Sequence, residues 1–183
     1  MKYKIAVSGA AQLDSCCKDV EKLTRKVARE IVHQGCILIT GATTGVPYFA
    51  AQEVKKIGGI SIGFSPAASE VAHKKVYKLP SDAFDLIVYT GFDYAGRNLL
   101  MTRAADATIV ICGRMGTLNE FTIAFEDQKP IGVLLGSGGT ADKIKGLIRR
   151  PFRGKVRIVY EKDPQKLVKG VIKLIKKAKK VVK

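Results

Sequence analysis

The sharpest chemical spacing in this chain is the octapeptide Gly113-Arg-Met-Gly-Thr-Leu-Asn-Glu120. It follows an apolar run and opens a helical pattern. Its two glycines, Gly113 and Gly116, let backbone N–H groups approach an anion. Thr117 adds a hydroxyl, and the helix adds the positive end of its dipole. Gly41-Ala-Thr-Thr-Gly45 repeats the same parts, with Thr44 supplying the hydroxyl. Ser8-Gly9-Ala-Ala, after the first apolar run, is a third small-residue loop. A tight strand-to-helix turn needs glycine anyway, but it does not need hydroxyls at matching places, so the set reads as phosphate cradles. Neither the Walker A lysine motif nor the dinucleotide glycine fingerprint is present.

Two charges accompany these loops. Arg97, followed by Asn98, stands at the start of one expected helix, and Glu120 in the first turn of the next. Both should lie at the same edge of a sheet, in successive strand–helix units that are often neighbours. A guanidinium and a carboxylate in a glycine-lined cleft can orient a ribose and a phosphate, or polarise a bond. The plainer alternatives are a surface ion pair for Arg97 and a dipole-complementing acid for Glu120.

The elements that must position these residues are legible as alternation. Seven β-branched or apolar runs read as strands: Lys4–Ser8, Cys36–Thr40, Ile60–Phe64, Asp85–Thr90, Thr108–Cys112, Ile131–Leu135 and Val156–Tyr160. Several are apolar almost throughout, as strands buried on both faces should be. Helical periodicity fills most of the gaps, at Asp19–Gln34, Pro47–Ile57, Gly96–Ala105, Thr117–Asp127 and Pro164–Val182. The pattern predicts an α/β fold of the Rossmann-like, doubly wound kind: a mainly parallel sheet of about seven strands with helices on both faces. Residues 1–183 read as one domain, with no linker and no internal repeat. Ligands of such sheets bind beyond the carboxyl ends of the strands, where all the loops above lie.

Composition is that of an ordinary globular protein, with 46% hydrophobic and 26% charged residues. No apolar run is long enough to span a bilayer, and no leader segment is evident, so the expected location is the cytoplasm. Cys16, Cys17, Cys36 and Cys112 form no metal-ligand spacing, so no metal is expected. Cys36 and Cys112 read as small core residues, Cys16–Cys17 as a helix start, and the whole as suited to a reducing compartment. The net charge of +16 is unevenly placed. Residues 1–142 hold sixteen basic against fourteen acidic residues, and residues 143–183 sixteen against two. In the last helix Leu167, Val171, Leu174, Ile175, Ala178 and Val182 share a face, and lysines fill the other. That is the pattern of a helix packed on the sheet with a solvated basic face. Association with nucleic acid or an acidic surface through it is the weaker alternative, since the helix has no aromatic residue on which a base could stack.

The segment Gly113–Glu120 resembles the GGxGTxxE signature of the Lonely Guy (LOG) proteins, once called lysine decarboxylases. Arg97–Ala107 resembles the stretch that precedes it in that family, and Gly41–Gly45 with Gly58–Gly63 resembles the family's glycine-rich stretch upstream. The resemblance runs through about residues 3–140. It implies a Rossmann-like fold, a homodimer or higher homo-oligomer, and cleavage of the N-glycosidic bond of a nucleoside 5′-monophosphate to base and ribose 5-phosphate. It makes Arg97 and Glu120 catalytic, with Glu120 orienting water or stabilising an oxocarbenium-like ribose. It assigns phosphate binding to Gly113, Gly116 and Thr117, helped by Gly41–Gly45, and so completes a ligand-binding set with Ser8, Gly9, Thr44 and Asn98. No cofactor is required. Departures from the family pattern are Arg114 for the second glycine, Cys112 for the preceding proline and Gly-Ala-Thr-Thr-Gly for the first cradle. Arg97-Asn98 is more similar to the sister branch that includes molybdenum-cofactor carrier proteins. The alternative function is therefore a non-catalytic binding or carrier protein for a nucleotide or phosphorylated cofactor such as the molybdenum cofactor.

Overall fold

In the computed structural model, which describes residues 1–148 and 157–181, the apolar runs form seven strands in one sheet. The order along the chain is β1 (Lys4–Gly9), α1 (Val20–His33), β2 (Ile37–Thr40), α2 (Val46–Lys56), β3 (Ser61–Ser65), β4 (Leu86–Tyr89), α3 (Asp93–Ala104), β5 (Ala107–Ile111), α4 (Met115–Glu126), β6 (Ile131–Leu134), α5 (Gly139–Leu147), β7 (Ile158–Glu161) and α6 (Pro164–Val181). The spatial order is β4-β3-β2-β1-β5-β6-β7, and every pairing is parallel. The chain winds outward from β1 to one edge and then returns to build the other half from β5. The switch point lies between β1 and β5, where this topology opens a crevice at the carboxyl ends of the strands.

The two faces follow from side-chain alternation. Ile5, Val7, Leu38, Ile109 and Ile111 pack against α1, α2 and α6 in the largest core cluster. Ala6 and Ile39 face α3 through Met101 and Ala105, and Val110, Ile131 and Val133 face α4 and α5 through Phe121, Ala124 and Ile144. Ser8, in step with Ala6, therefore points to the α3–α4 side.

Several sequence expectations shift. A short π-helical turn at Ala72–Val76 and the helix α5 were not foreseen. Helix α3 begins at Asp93, so Arg97 lies in its second turn rather than at its start. Helix α4 begins at Met115, which puts Glu120 in its second turn also, with no acid in the first. The dipole-complementing role of Glu120 is thereby removed. Strands β4 and β5 are not neighbours either, since β3, β2 and β1 lie between them. Arg97 reaches Glu120 because the β4–β5 crossover carries α3 back over the sheet to lie against α4. Val156 of the expected last strand, and Val182 of the last helix, lie outside the described residues.

Helix α6 packs as its apolar stripe demands. Leu167, Val168, Val171, Ile172 and Ile175 are buried. Its lysines tie it to the body: Lys179 Nζ lies 3.2 Å from Asp106 and 4.6 Å from the Tyr3 ring centroid, and Lys169 Nζ 3.8 Å from Glu30. No described helix is both long and apolar enough to cross a membrane.

Candidate functional site

At the switch point the loops after β1, β2 and β5, with the first turn of α2 and the first two turns of α3 and α4, line a cavity of about 460 Å³. That volume lies in the range of small-molecule sites. Of the residues singled out by sequence, Gly9, Gly41, Thr44, Arg97, Asn98, Gly116, Thr117 and Glu120 stand on its wall. Ser8, Gly45 and Gly113 do not; they hold the wall from behind.

Ser8 is buried beneath the floor and donates its hydroxyl hydrogen bond to Glu120 Oε2. Arg97 Nη1 donates to Glu120 Oε1 at 2.9 Å and lies 3.7 Å from the sulfur of Met101. Both carboxylate oxygens are thus engaged, and the pair is almost fully enclosed, at 5% exposure for the Arg97 side chain and 8% for Glu120. Arg97 Nε is buried and has no hydrogen-bond partner among the described residues. Burial pushes the Glu120 carboxyl above its ordinary value, and this outweighs the pull of Arg97 and Ser8 in the other direction. Burial likewise pushes Arg97 down against the support of Glu120, but a guanidinium titrates so high that it stays a cation at neutral pH.

Glycine at 41 is required by contact: a Cβ there would overlap the Arg97 guanidinium. Gly113 is required by conformation, with φ +99° and a Cβ position that would fall on the Thr117 side chain. Asn98, on the cavity wall, also has a protein partner. Its Nδ2 donates to Asn119 Oδ1 at 2.9 Å and fastens α3 to α4. Thr44 Oγ1 donates to the Ala11 carbonyl at 3.1 Å and ties the second loop to the first.

Helix α4 starts without a cap. No side chain accepts from its first N–H groups, and Leu118 N–H makes the first backbone bond, to the Arg114 carbonyl. The N–H groups of Met115, Gly116 and Thr117 are therefore free among the described residues, beside a cavity that both Gly116 and Thr117 line. This is the arrangement that receives a phosphate or carboxylate.

Sequence reasoning missed part of the wall. Gln12, Pro47, Leu79 and Tyr94 also line the cavity. Gln12 stands in the loop after β1 and Tyr94 in the first turn of the helix after β4, which is a usable signal; Leu79 comes from the segment after the π-helical turn and carries none. Arg114 also lines the cavity, and its guanidinium donates to Gln12 Oε1. The cysteine expectation is corrected as well. Cys16 and Cys112 form a disulfide between the β1–α1 loop and the residue before Gly113, and only Cys17 and Cys36 are free. Cys16 and Cys17 precede α1 rather than start it. Cys112 is buried as expected, but as half of a cross-link, and the pairing takes away the argument from cysteine usage for a reducing compartment. Cys112 holds φ +52°, a conformation costly for a residue with a Cβ. The disulfide and a 2.8 Å bond from its N–H to Ser137 Oγ keep it there. Among the described residues no cluster of potential metal ligands occurs.

The model of the SLOG cluster4 family matches residues 2–168. The chain belongs to that family. A curated relative from Archaeoglobus fulgidus is 27% identical to this SLOG cluster4 protein over 131 residues, 72% of this chain and 79% of the relative. The X-ray structure of TM1055 superposes with a TM-score of 0.79 at 23% identity, over 97% of this chain and 99% of that one. The structure of the molybdenum cofactor binding protein from the phototrophic bacterium Rippkaea orientalis superposes with a TM-score of 0.74 at 26% identity, over 97% and 98% of the two chains. These likenesses bear out the family resemblance and its branch, and the SLOG cluster4 fold extends over nearly the whole chain.

Proposed function

We propose that this protein binds a phosphorylated, nucleotide-like small molecule in the switch-point cavity, and that it serves as a carrier or binding protein for such a compound, a phosphorylated pterin such as the molybdenum cofactor among them. The observation that carries this reading is the uncapped start of α4: three free N–H groups beside a cavity of about 460 Å³. Similarity to a molybdenum cofactor binding protein supports the ligand class. Pro47, Leu79 and Tyr94 supply apolar wall for a flat ring. The engagement of Glu120 by both Arg97 and Ser8 favours a holding role, because a carboxylate already accepting on both oxygens is less free to activate water.

One observation favours the second reading, N-glycosidic cleavage of a nucleoside 5′-monophosphate. The buried carboxyl with a raised pKa stands on the cavity wall, as an acid–base group would. Mass spectrometry of the protein as purified, with thermal-shift titration of nucleoside monophosphates, separates the two. Carriage predicts a bound phosphorylated compound, or a rise in Tm, without release of ribose 5-phosphate. Release of ribose 5-phosphate that disappears in Glu120→Ala would establish turnover instead. A protein stabilised by no phosphorylated compound would refute both.

A further inference from the structure

Three charged side chains line the cavity: Arg97, Glu120 and Arg114. The first two neutralise each other at 2.9 Å and are shut away from water. Arg114 forms no ion pair with any described residue; its one side-chain hydrogen bond is to the neutral Gln12. The wall therefore carries one uncompensated formal charge, and it belongs to the residue that stands where the LOG signature resembled by Gly113–Glu120 has a glycine.

The position of Arg114 strengthens the point. It is the N-cap residue of α4, in extended conformation at φ −129° and ψ −155°. Its backbone is fixed because its carbonyl accepts from Leu118 N–H and, at 3.0 Å, from Thr140 Oγ1. The side chain thus leaves from the start of the same uncapped helix, whose first turn lines the cavity through Gly116 and Thr117. Gln12, from the loop after β1, holds the guanidinium across the cleft. A guanidinium has five N–H donors in a planar fork that matches phosphate geometry, so donors remain after Gln12 is served. Arg97, on the same wall, has a buried Nε with no hydrogen-bond partner among the described residues.

We infer that Arg114 is a specificity-determining residue that clamps the dianionic phosphoryl group of the ligand against the first turn of α4, with Gln12 as its positioning residue. The inference rests on the binding reading given above. It commits the ligand to a terminal phosphate monoester at the α4 end of the cavity and its ring toward Tyr94 and Leu79. A bare backbone at this position would bind phosphate by dipoles and N–H groups alone. Here a full charge is added, so discrimination between a phosphorylated compound and its dephosphorylated form should be larger and more dependent on salt.

The test uses the full chain with AMP, adenosine and inorganic phosphate as probes, at 50 and 200 mM NaCl. Calorimetry measures affinity, and melting curves with circular dichroism confirm that the variants are folded. Wild type should prefer AMP over adenosine, and inorganic phosphate should compete with AMP. In Arg114→Gly the affinity for AMP should fall by about tenfold or more and lose most of its salt dependence, while adenosine is unaffected. Arg114→Lys should keep part of the preference, and Gln12→Ala should weaken AMP by a smaller factor. If wild type binds AMP and folded Arg114→Gly binds it equally well, the inference is overturned and the binding reading survives. If neither AMP nor inorganic phosphate binds wild type, the inference is overturned, and mass spectrometry of the protein as purified decides the binding reading separately.

Discussion

Two buried glutamates in this molecule each meet arginine, and their surroundings send them in opposite directions. Glu53, at the α1–α2 contact, has a side chain only 2% exposed, but its partners Arg25 and Arg29 are 27% and 50% exposed. Burial raises its pKa, yet the hydrogen bonds and charges of Arg29 and then Arg25 outweigh that effect and hold the carboxyl below its ordinary value. Glu120 meets Arg97, which is itself buried, and burial wins. The lesson is about where the counter-charge sits. A cation that keeps contact with water can stabilise a carboxylate at little desolvation cost to itself. A cation dragged inside with its partner loses hydration too, and the pair is retained at a cost to stability. Glu53 is a fastening between helices; the pair at Glu120 faces a cavity, where an enclosed charge pair has a use.

The comparison can be broken first at Arg97. Replacing it with alanine leaves an unpaired buried carboxylate and should cost about 3–5 kcal/mol at neutral pH, read by urea unfolding. Part of that loss should return as pH is lowered, because burial favours the protonated form of the Glu120 carboxyl. A loss below about 1 kcal/mol, typical of exposed pairs, would mean that the two glutamates are alike after all.

A pH series sharpens the contrast in sign. The folded pKa of Glu120 is raised, so its proton-linked stability is full below the ordinary value of 4.5 and is lost as pH rises through the folded value. The folded pKa of Glu53 is lowered, so its contribution is present above 4.5 and is lost as pH falls through the folded value. Melting curves of wild type against Glu120→Gln and Glu53→Gln should therefore diverge in opposite directions between pH 3 and 8. Parallel profiles would remove the distinction. The smallest effect is expected at Arg29, half exposed: Arg29→Ala should cost about 0.5–1 kcal/mol, since Arg25 remains on Glu53. Chemical denaturation of that variant checks it.

Much of this was readable beforehand. The strands announced themselves because, in a parallel sheet covered on both faces, burial imposes apolar residues throughout, as in Ala107–Ile111. The cradles were visible as glycines and hydroxyls after strands. What escaped depends on distance across the fold rather than along the chain. Helix α5 was hidden because it opens with Gly139-Thr140 and has only Ala141 and Ile144 buried, too short a stripe to register as a period. Leu79 reaches the cavity from a segment with no pattern of its own. The meeting of Arg97 with Glu120 was expected for the wrong reason, since it comes from a crossover that spans three strands. The partner of Cys112, 96 residues away, could not be read from spacing at all.

That last bond changes what the chain is as a connected object. With Cys16 joined to Cys112, residues 16–112 form a closed covalent ring that contains β2, β3, β4, β5 and the helices α1, α2 and α3, while α4, β6, α5, β7 and α6 hang from it as a tail. A single cut in the exposed stretch around Val76, inside the ring, should leave the molecule in one piece on a non-reducing gel and split it in two once the disulfide is reduced. A cut after residue 112 should release a fragment in either case. The two edges of the cleft are thus held by the molecule's connectivity as well as by its packing, and the entrance to the site would outlast a broken backbone.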